Sequence, residues 1–366
     1  MTALTSGAQR TGVRRRLQPR SLTSLAWVVW RQHRATLCWL GGLFLAVAAG
    51  MLIAGIAAHR LYGAAIQHGC AAQSSWTPLC RQLLGPFATG WLAGYPNQVI
   101  LAMQAVPVII GVFLGAPLLA REYTTGTARF TWTQGVGRTR WTLTTLGLLG
   151  AGLAAAGGVL GLLAQWSVRP SATQSTRYAD RWEPGFFDHT PLTAATAILL
   201  AFAIGVLAGV LIRRVVAAMA VTAVAAITAA DLTYSGLHYW LLSRGTLVTR
   251  DQAFGAYPNV GGSGGTLNIH EMVGRSVPGP AGSWLDQGWY TGSDGHRLSE
   301  QTVTRLLDKY TGTNPAWLTR LHDTFWVSYQ PGGRYWIFQS ILGGGTLLLA
   351  LLLTAASVWV VRHRRA

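Results

Sequence analysis

Apolar runs long enough to cross a bilayer recur six times along the chain. Spanning hydrocarbon as a helix takes about 20 apolar residues. Stretches 35–58, 98–120, 142–166, 192–212, 215–233 and 336–361 meet that length, and none contains Lys or Arg. Asp231, near the end of the fifth, is their only acidic residue. The pattern predicts an all-α integral membrane protein with six transmembrane helices. Only Arg213 and Arg214 part the fourth and fifth runs, which predicts a tight helical hairpin. The first run exceeds the 7–15 apolar residues of a typical leader peptide, so it is expected to stay as an anchor.

The connections divide in character. Leu22, Leu25, Ala26, Val29 and Trp30 share one helical face ahead of the first span, followed by Arg31, His33 and Arg34. That profile predicts a helix lying in the membrane interface. The alternative is a plain extension of the first span. The long connection 234–335 is large enough for a small folded module. Ser299 is placed to cap a helix carrying Val303, Leu306, Leu307 and Tyr310, with Gly312 ending it. Asn314 and Pro315 start a second short helix running to about Asp323. Residues 251–298, rich in Gly, Pro and Ser, read as loop, and no fixed-period repeat is visible. The organisation is therefore a leading segment 1–34, five spans over 35–233 with a connecting loop 121–141, the module 234–335, and a last span with basic tail over 336–366.

Charge decides which side is which. Of the 366 residues only 11% are charged, yet the net charge is +17 and mean hydropathy is +0.31. An ordinary soluble protein carries about 25% charged residues. Sixteen of the 29 basic residues fall in the 62 positions of segments 1–34, 121–141, 213–214 and 362–366. The 166 positions of 59–97, 167–191 and 234–335 hold the other 13, together with ten acidic residues. Basic density differs roughly threefold, which by the positive-inside rule puts the first group and both termini in the cytoplasm. Glu122 is the single acidic residue expected there. The positive collar, including Arg14, Arg15, Arg16 and Arg20, faces anionic lipid headgroups rather than nucleic acid.

Candidate chemistry is sparse. Cys70 and Cys80 share one expected external loop and are predicted to form a disulfide, while Cys38 sits in the first span as a packing residue. No metal site is expected. The external histidines His189, His238, His270, His296 and His322 lack ligand spacing, and His270-Glu271 lacks the second His of a zinc-protease helix. Gly261-Gly262-Ser263-Gly264-Gly265 matches a G-x-S-x-G nucleophile pattern without the strand and helix that motif needs. A membrane-embedded hydrolase using Ser263, or a peptide sensor acting through the module, is the alternative class of function. There is no phosphate-binding G-x-x-x-x-G-K-[ST], and Lys309 is the only lysine. The chain is not expected to be an enzyme or to bind a cofactor by itself. Inside the spans, Pro107 and Pro117 predict kinks. Gly111 with Gly115, and Gly205 with Gly209, form two small-xxx-small faces. Gln104, Gln165 and Asp231 are the candidate polar pathway, and so few polar groups point to a hydrophobic or amphipathic cargo.

The run Gly115-Ala116-Pro117-Leu118-Leu119-Ala120-Arg121-Glu122, continuing through Gly126-Thr127, Trp132-Thr133-Gln134 and Arg138-Thr139-Arg140-Trp141, resembles actinobacterial ABC transporter permeases of the type-2 exporter class. Trp30-Arg31-Gln32-His33-Arg34 is similar to their N-terminal lead-in helix. Tyr329-Gln330-Pro331, Arg334-Tyr335-Trp336 and Phe338-Gln339 resemble the start of their last membrane helix. The resemblance implies a bacterial plasma-membrane permease that dimerises with itself or a related subunit. It also implies two separate ATPase subunits that bind ATP and magnesium. By the same resemblance, Arg121, Glu122, Gly126, Thr127, Arg129 and Arg138 belong to a coupling segment pressed by the ATPase.

Overall fold

The computed structural model describes residues 22–70, 77–125, 138–174, 181–182, 184–250, 284–292, 294–299, 301–302 and 325–363. Helix α1 runs unbroken over Leu22–Gln67. Where a separate helix was expected before the first span, the lead-in is continuous with that span, since no Pro or Gly interrupts 22–40. At 46 residues and 1.5 Å per residue α1 is about 69 Å long. It ends at Gly69 in the left-handed conformation, where the Cys70 N–H donates back to the Ala65 carbonyl and satisfies one of the last orphan groups.

Cys70 is joined to Cys80, as expected. This clamps the end of α1 to α2 (Pro78–Ala88), which Thr77 caps through its hydroxyl and which begins at proline. After Gly90 the chain continues as α3 (Trp91–Ile110), a π-helical turn (Gly111–Gly115) and α4 (Ala116–Thr125) without a break. Then follow α5 (Arg138–Gln174), the single turn α6 (Pro184–Phe187) and α7 (Pro191–Ile212), capped by the Thr190 hydroxyl. Arg213 in the left-handed conformation (φ 57°) and extended Arg214 make the tight hairpin to α8 (Val215–Asp231). A second π-helical segment (Leu232–Leu237) carries α8 directly into α9 (His238–Leu242). The last span is α10 (Tyr335–His363).

Among the described residues, five stretches are long and apolar enough to cross a membrane: Arg34–Gln67, Pro78–Arg121, Thr139–Ser171, Pro191–Ile212 and Gly332–His363. The fifth expected span, α8, is a shorter apolar helix of 17 residues. The membrane part is thus wholly helical.

The connection 234–335 differs from expectation. Its described part holds a three-stranded antiparallel sheet, ordered β1 (Leu247–Arg250), β3 (Phe325–Gln330), β2 (Trp284–Tyr290). Strand β2 lies in the stretch read as loop. Its Trp284-Leu285 and Trp289-Tyr290 pairs have strand-forming character, but Gly288 and a register irregularity between Leu285 and Gln287 mask the alternation. The Ser299 hydroxyl does accept the Thr302 N–H as a helix cap. The rest of that helix, the second helix to Asp323 and the Gly261–Gly265 run lie outside the described residues.

Helix α7 is the axis of the bundle. Every residue from Thr193 to Val210 is buried or half-buried, and only Leu192 and Leu211 at its ends are exposed. Gly111 and Gly115 approach Ala201, Phe202 and Gly205, so α3–α4 runs parallel to α7. Contacts of Thr190 with Gln339 and of Thr196 with Thr346 make α10 parallel to it too. Gly161 meets Pro191 while Gly157 meets Ile198, which sets α5 antiparallel. Ala218 packs by Ala116 and Thr222 by Gly111, which sets α8 antiparallel to α3–α4. Spans consecutive in the chain thus alternate in direction from α3–α4 to α8.

Candidate functional site

Close packing around α7 rests on glycine. A Cβ at Gly111 would stand 2.6 Å from the Ala201 carbonyl oxygen, and one at Gly115 2.7 Å from that of Phe202. A Cβ at Gly205 would collide with the Gly111 carbonyl oxygen and the Ala116 nitrogen. Those two atoms form the hydrogen bond that closes the π-helical turn, the Ala116 N–H donating to Gly111. Gly209 likewise lies on the Ala116 carbonyl. The two small-residue faces expected separately therefore pack against each other. Pro117 explains the wider turn. Its ring would clash with the carbonyl of Phe113 four residues back, and opening the helix there relieves the clash.

Beside this contact the helices part. A cavity lies between α3, α7, α8 and α10, with about 690 Å³ of empty space including its open mouth. Met103, Pro107, Leu200, Ile204, Ala226 and Leu342 supply much of its apolar wall. Gln104, Thr193, Thr233 and Thr346 add neutral polar groups, and Asp188 and His189 stand at one end. The second residue pair was not singled out by sequence reasoning. Asp188 was unremarked and His189 was one of five scattered histidines. The only sequence signal was their place directly before the Thr190 cap of an apolar run.

That end is built from segments far apart in the chain. The Thr190 hydroxyl donates to Gln339 Oε1 (2.9 Å), and Gln339 Nε2 donates to the Phe187 carbonyl (2.8 Å). Gln330 Nε2 donates to the carbonyls of Leu242 (2.9 Å) and Arg244 (2.7 Å), while Arg334 Nη1 donates to that of Gly245 (2.7 Å). Arg181 reaches the Gly332 carbonyl (2.9 Å), and its guanidinium lies 4.9 Å from the Tyr335 ring centre. Trp182, Phe187, Tyr335 and Phe338 interlock by edge and stacked contacts beneath it. Gln330, Arg334 and Gln339, noted in the sequence as part of a resemblance, are thus clasps holding the last span and β3 to the rest.

Asp188 sits against this aromatic cluster. Its Oδ1 is 3.5 Å from His238 Nδ1, and neither carboxylate oxygen has a hydrogen-bond partner among the described residues. At that length the contact is an ion-pair distance, longer than a true hydrogen bond. His189 Nδ1 lies 3.0 Å from the Gly185 carbonyl, so that nitrogen carries the proton. Burial pushes the Asp188 carboxyl above its usual range, partly offset by His238 and His189. Burial likewise pulls the His189 imidazole down, partly offset by Gly185 and Asp188. Among the described residues no group of three or more His, Cys, Asp or Glu converges as a metal site.

Residues 41–235 match the family described as ABC-2 membrane transporter related, and that stretch is more than half of the chain. The chain belongs to this family. It is a multi-pass membrane protein. No curated protein and no solved structure matches it. The region matched to the ABC-2 membrane transporter related family contains three of the four cavity walls, α3, α7 and α8, and the Asp188–His189 pair.

Of the expected polar pathway, Gln104 lines the main cavity. Gln165 instead lines a separate small pocket between α3, α5 and α6, and Asp231 is exposed on the bundle surface. The three are not brought together. Arg121 is exposed at the foot of α4. Glu122 falls in the last turns of α4 and Arg138 opens α5, and their side chains are outside the described set. Gly126, Thr127 and Arg129 lie outside the described residues.

Proposed function

We propose that this chain is the membrane-spanning permease subunit of an ATP-driven exporter for a hydrophobic or amphipathic cargo. The observation that carries the reading is a mostly apolar cavity between spans in a chain of the ABC-2 membrane transporter related family. Both termini and loop 121–141 are cytoplasmic on this reading. The permease pairs with itself or a related permease and with two copies of a separate ATPase, which bind ATP and magnesium. Catalysis belongs to that ATPase, not to this chain. Arg121, Glu122, Gly126, Thr127, Arg129 and Arg138 form the coupling segment, with Glu122 the single acidic group among cytoplasmic arginines. Closure of the ATPase pair presses α4 along its axis. Through the glycine contacts of α4 with α7, that push reaches the cavity wall.

The test is co-purification of the full chain with a soluble ATPase from its own cells, followed by ATPase assays in vesicles. The permease is expected to raise ATPase activity, and Glu122→Arg to lower that stimulation about tenfold or more, as loss of a paired interface charge does. No ATPase capture, or full stimulation with Glu122→Arg, overturns the reading.

A further inference from the structure

Asp188 is a buried carboxylate at the end of an apolar cavity. Its side chain is 8% exposed, both oxygens lack a hydrogen-bond partner among the described residues, and it lines the cavity. Leaving a carboxylate in this state is costly unless a cation or several donors meet it. The ion-pair partner among the described residues, His238 Nδ1 at 3.5 Å, is beyond the 2.7–2.9 Å of a charge-assisted bond and addresses one oxygen only. His189 cannot fill the gap with its Nδ1–H, which is spent on the Gly185 carbonyl. Among the described residues that line the cavity there is no Lys or Arg. The site therefore has two unpaired but enclosed carboxylate oxygens beside an apolar body, and a ligand cation reaches them when the Asp188 side chain turns toward the cavity.

We propose that Asp188 anchors the ammonium group of a hydrophobic amine whose apolar part lies against Met103, Pro107, Leu200 and Ile204. An ammonium brings three donors and a positive charge, matching the unfilled carboxylate lone pairs. Thr193 and Thr346 on the same wall offer hydroxyl oxygens to a neighbouring donor. An anionic amphiphile is rejected, because it would put a second negative charge beside Asp188. That the amine is the exported cargo rests on the permease reading; the binding site itself does not.

The test is equilibrium binding to the full chain in nanodiscs of zwitterionic lipid, corrected for empty nanodiscs. The probes are phenylbutylamine, its neutral analogue phenylbutanol and its anionic analogue phenylbutyrate. Amine is expected to bind saturably and about thirtyfold or more tighter than alcohol, as buried charge pairing implies. Asp188→Asn is expected to reduce amine to the level of alcohol while alcohol binding stays within about twofold. Asp188→Glu keeps the charge and is expected to keep the preference, and it carries the test together with the unmodified chain if Asp188→Asn does not fold. Equal binding of amine and alcohol to the unmodified chain, or a preference that survives Asp188→Asn, overturns the proposal. An Asp188-dependent amine site in a chain that captures no ATPase supports the site and defeats the export reading. Stimulation of a captured ATPase without amine preference does the reverse.

Discussion

Asp188 and His189 are adjacent, and burial drives both toward their neutral forms. Their effects on stability have opposite signs. The His189 value is depressed, so its contribution is complete above its ordinary 6.5 and is lost as pH falls through the lower folded value. The Asp188 value is raised, so its contribution is complete below 3.8 and is lost as pH rises through the folded value. His189→Gln keeps a donor for the Gly185 carbonyl but cannot charge. Its Tm relative to the unmodified chain is expected to rise steadily as pH falls below 6.5, measured by scanning fluorimetry. A Tm difference independent of pH over that range would show that His189 does not titrate against folding. None of this was legible in the sequence. A histidine among five scattered ones gains its meaning only when Gln339, Thr190 and the aromatic side chains close over it.

Helices α4 and α7 show the opposite case. Gly111, Gly115, Gly205 and Gly209 stood out by spacing alone, since only small residues let backbones approach closely. Their mutual pairing and the π-helical turn were not legible, because both depend on how α7 threads between other spans. Gly205 touches the very hydrogen bond that closes that turn. Gly205→Leu is expected to cost about 1–3 kcal/mol or more through overpacking. Gly147, with nothing within 4 Å of a Cβ, is the control, and Gly147→Ala is expected to be neutral or stabilising by up to about 1 kcal/mol. Urea or heat titration of the two variants in nanodiscs checks both. Equal tolerance at the two positions would mean that α4 and α7 do not meet as described. Strand β2 was illegible for a related reason: a strand interrupted by Gly288 and a register irregularity is recognisable only beside its partner β3.

For the molecule as a whole, the apolar runs gave the order of the membrane helices, and five of the six meet the length that hydrocarbon imposes on a crossing, while α8 is shorter. They misplaced the ends of α1, where polar flanks continue the same helix beyond any membrane boundary. The Cys70–Cys80 bond ties that overhang to α2. Thiol labelling in denaturant is expected to count one cysteine per chain before reduction, Cys38, and three after. Cys70→Ser is expected to cost at most about 3 kcal/mol, given a loop of 10 residues. Three reactive thiols before reduction would show the pair to be open.

The enclosure of α7 has a consequence for how the protein responds to its bilayer. A span in contact with lipid answers a thicker or thinner membrane by tilting. At 22 residues α7 measures about 33 Å, close to the hydrocarbon depth, and between Thr193 and Val210 nothing on it is exposed. Lipid composition therefore bears first on α1 and α10, whose long apolar flanks have room to lean. The cavity wall is shielded from that stress, so ligand affinity should vary little between short-chain and long-chain lipids.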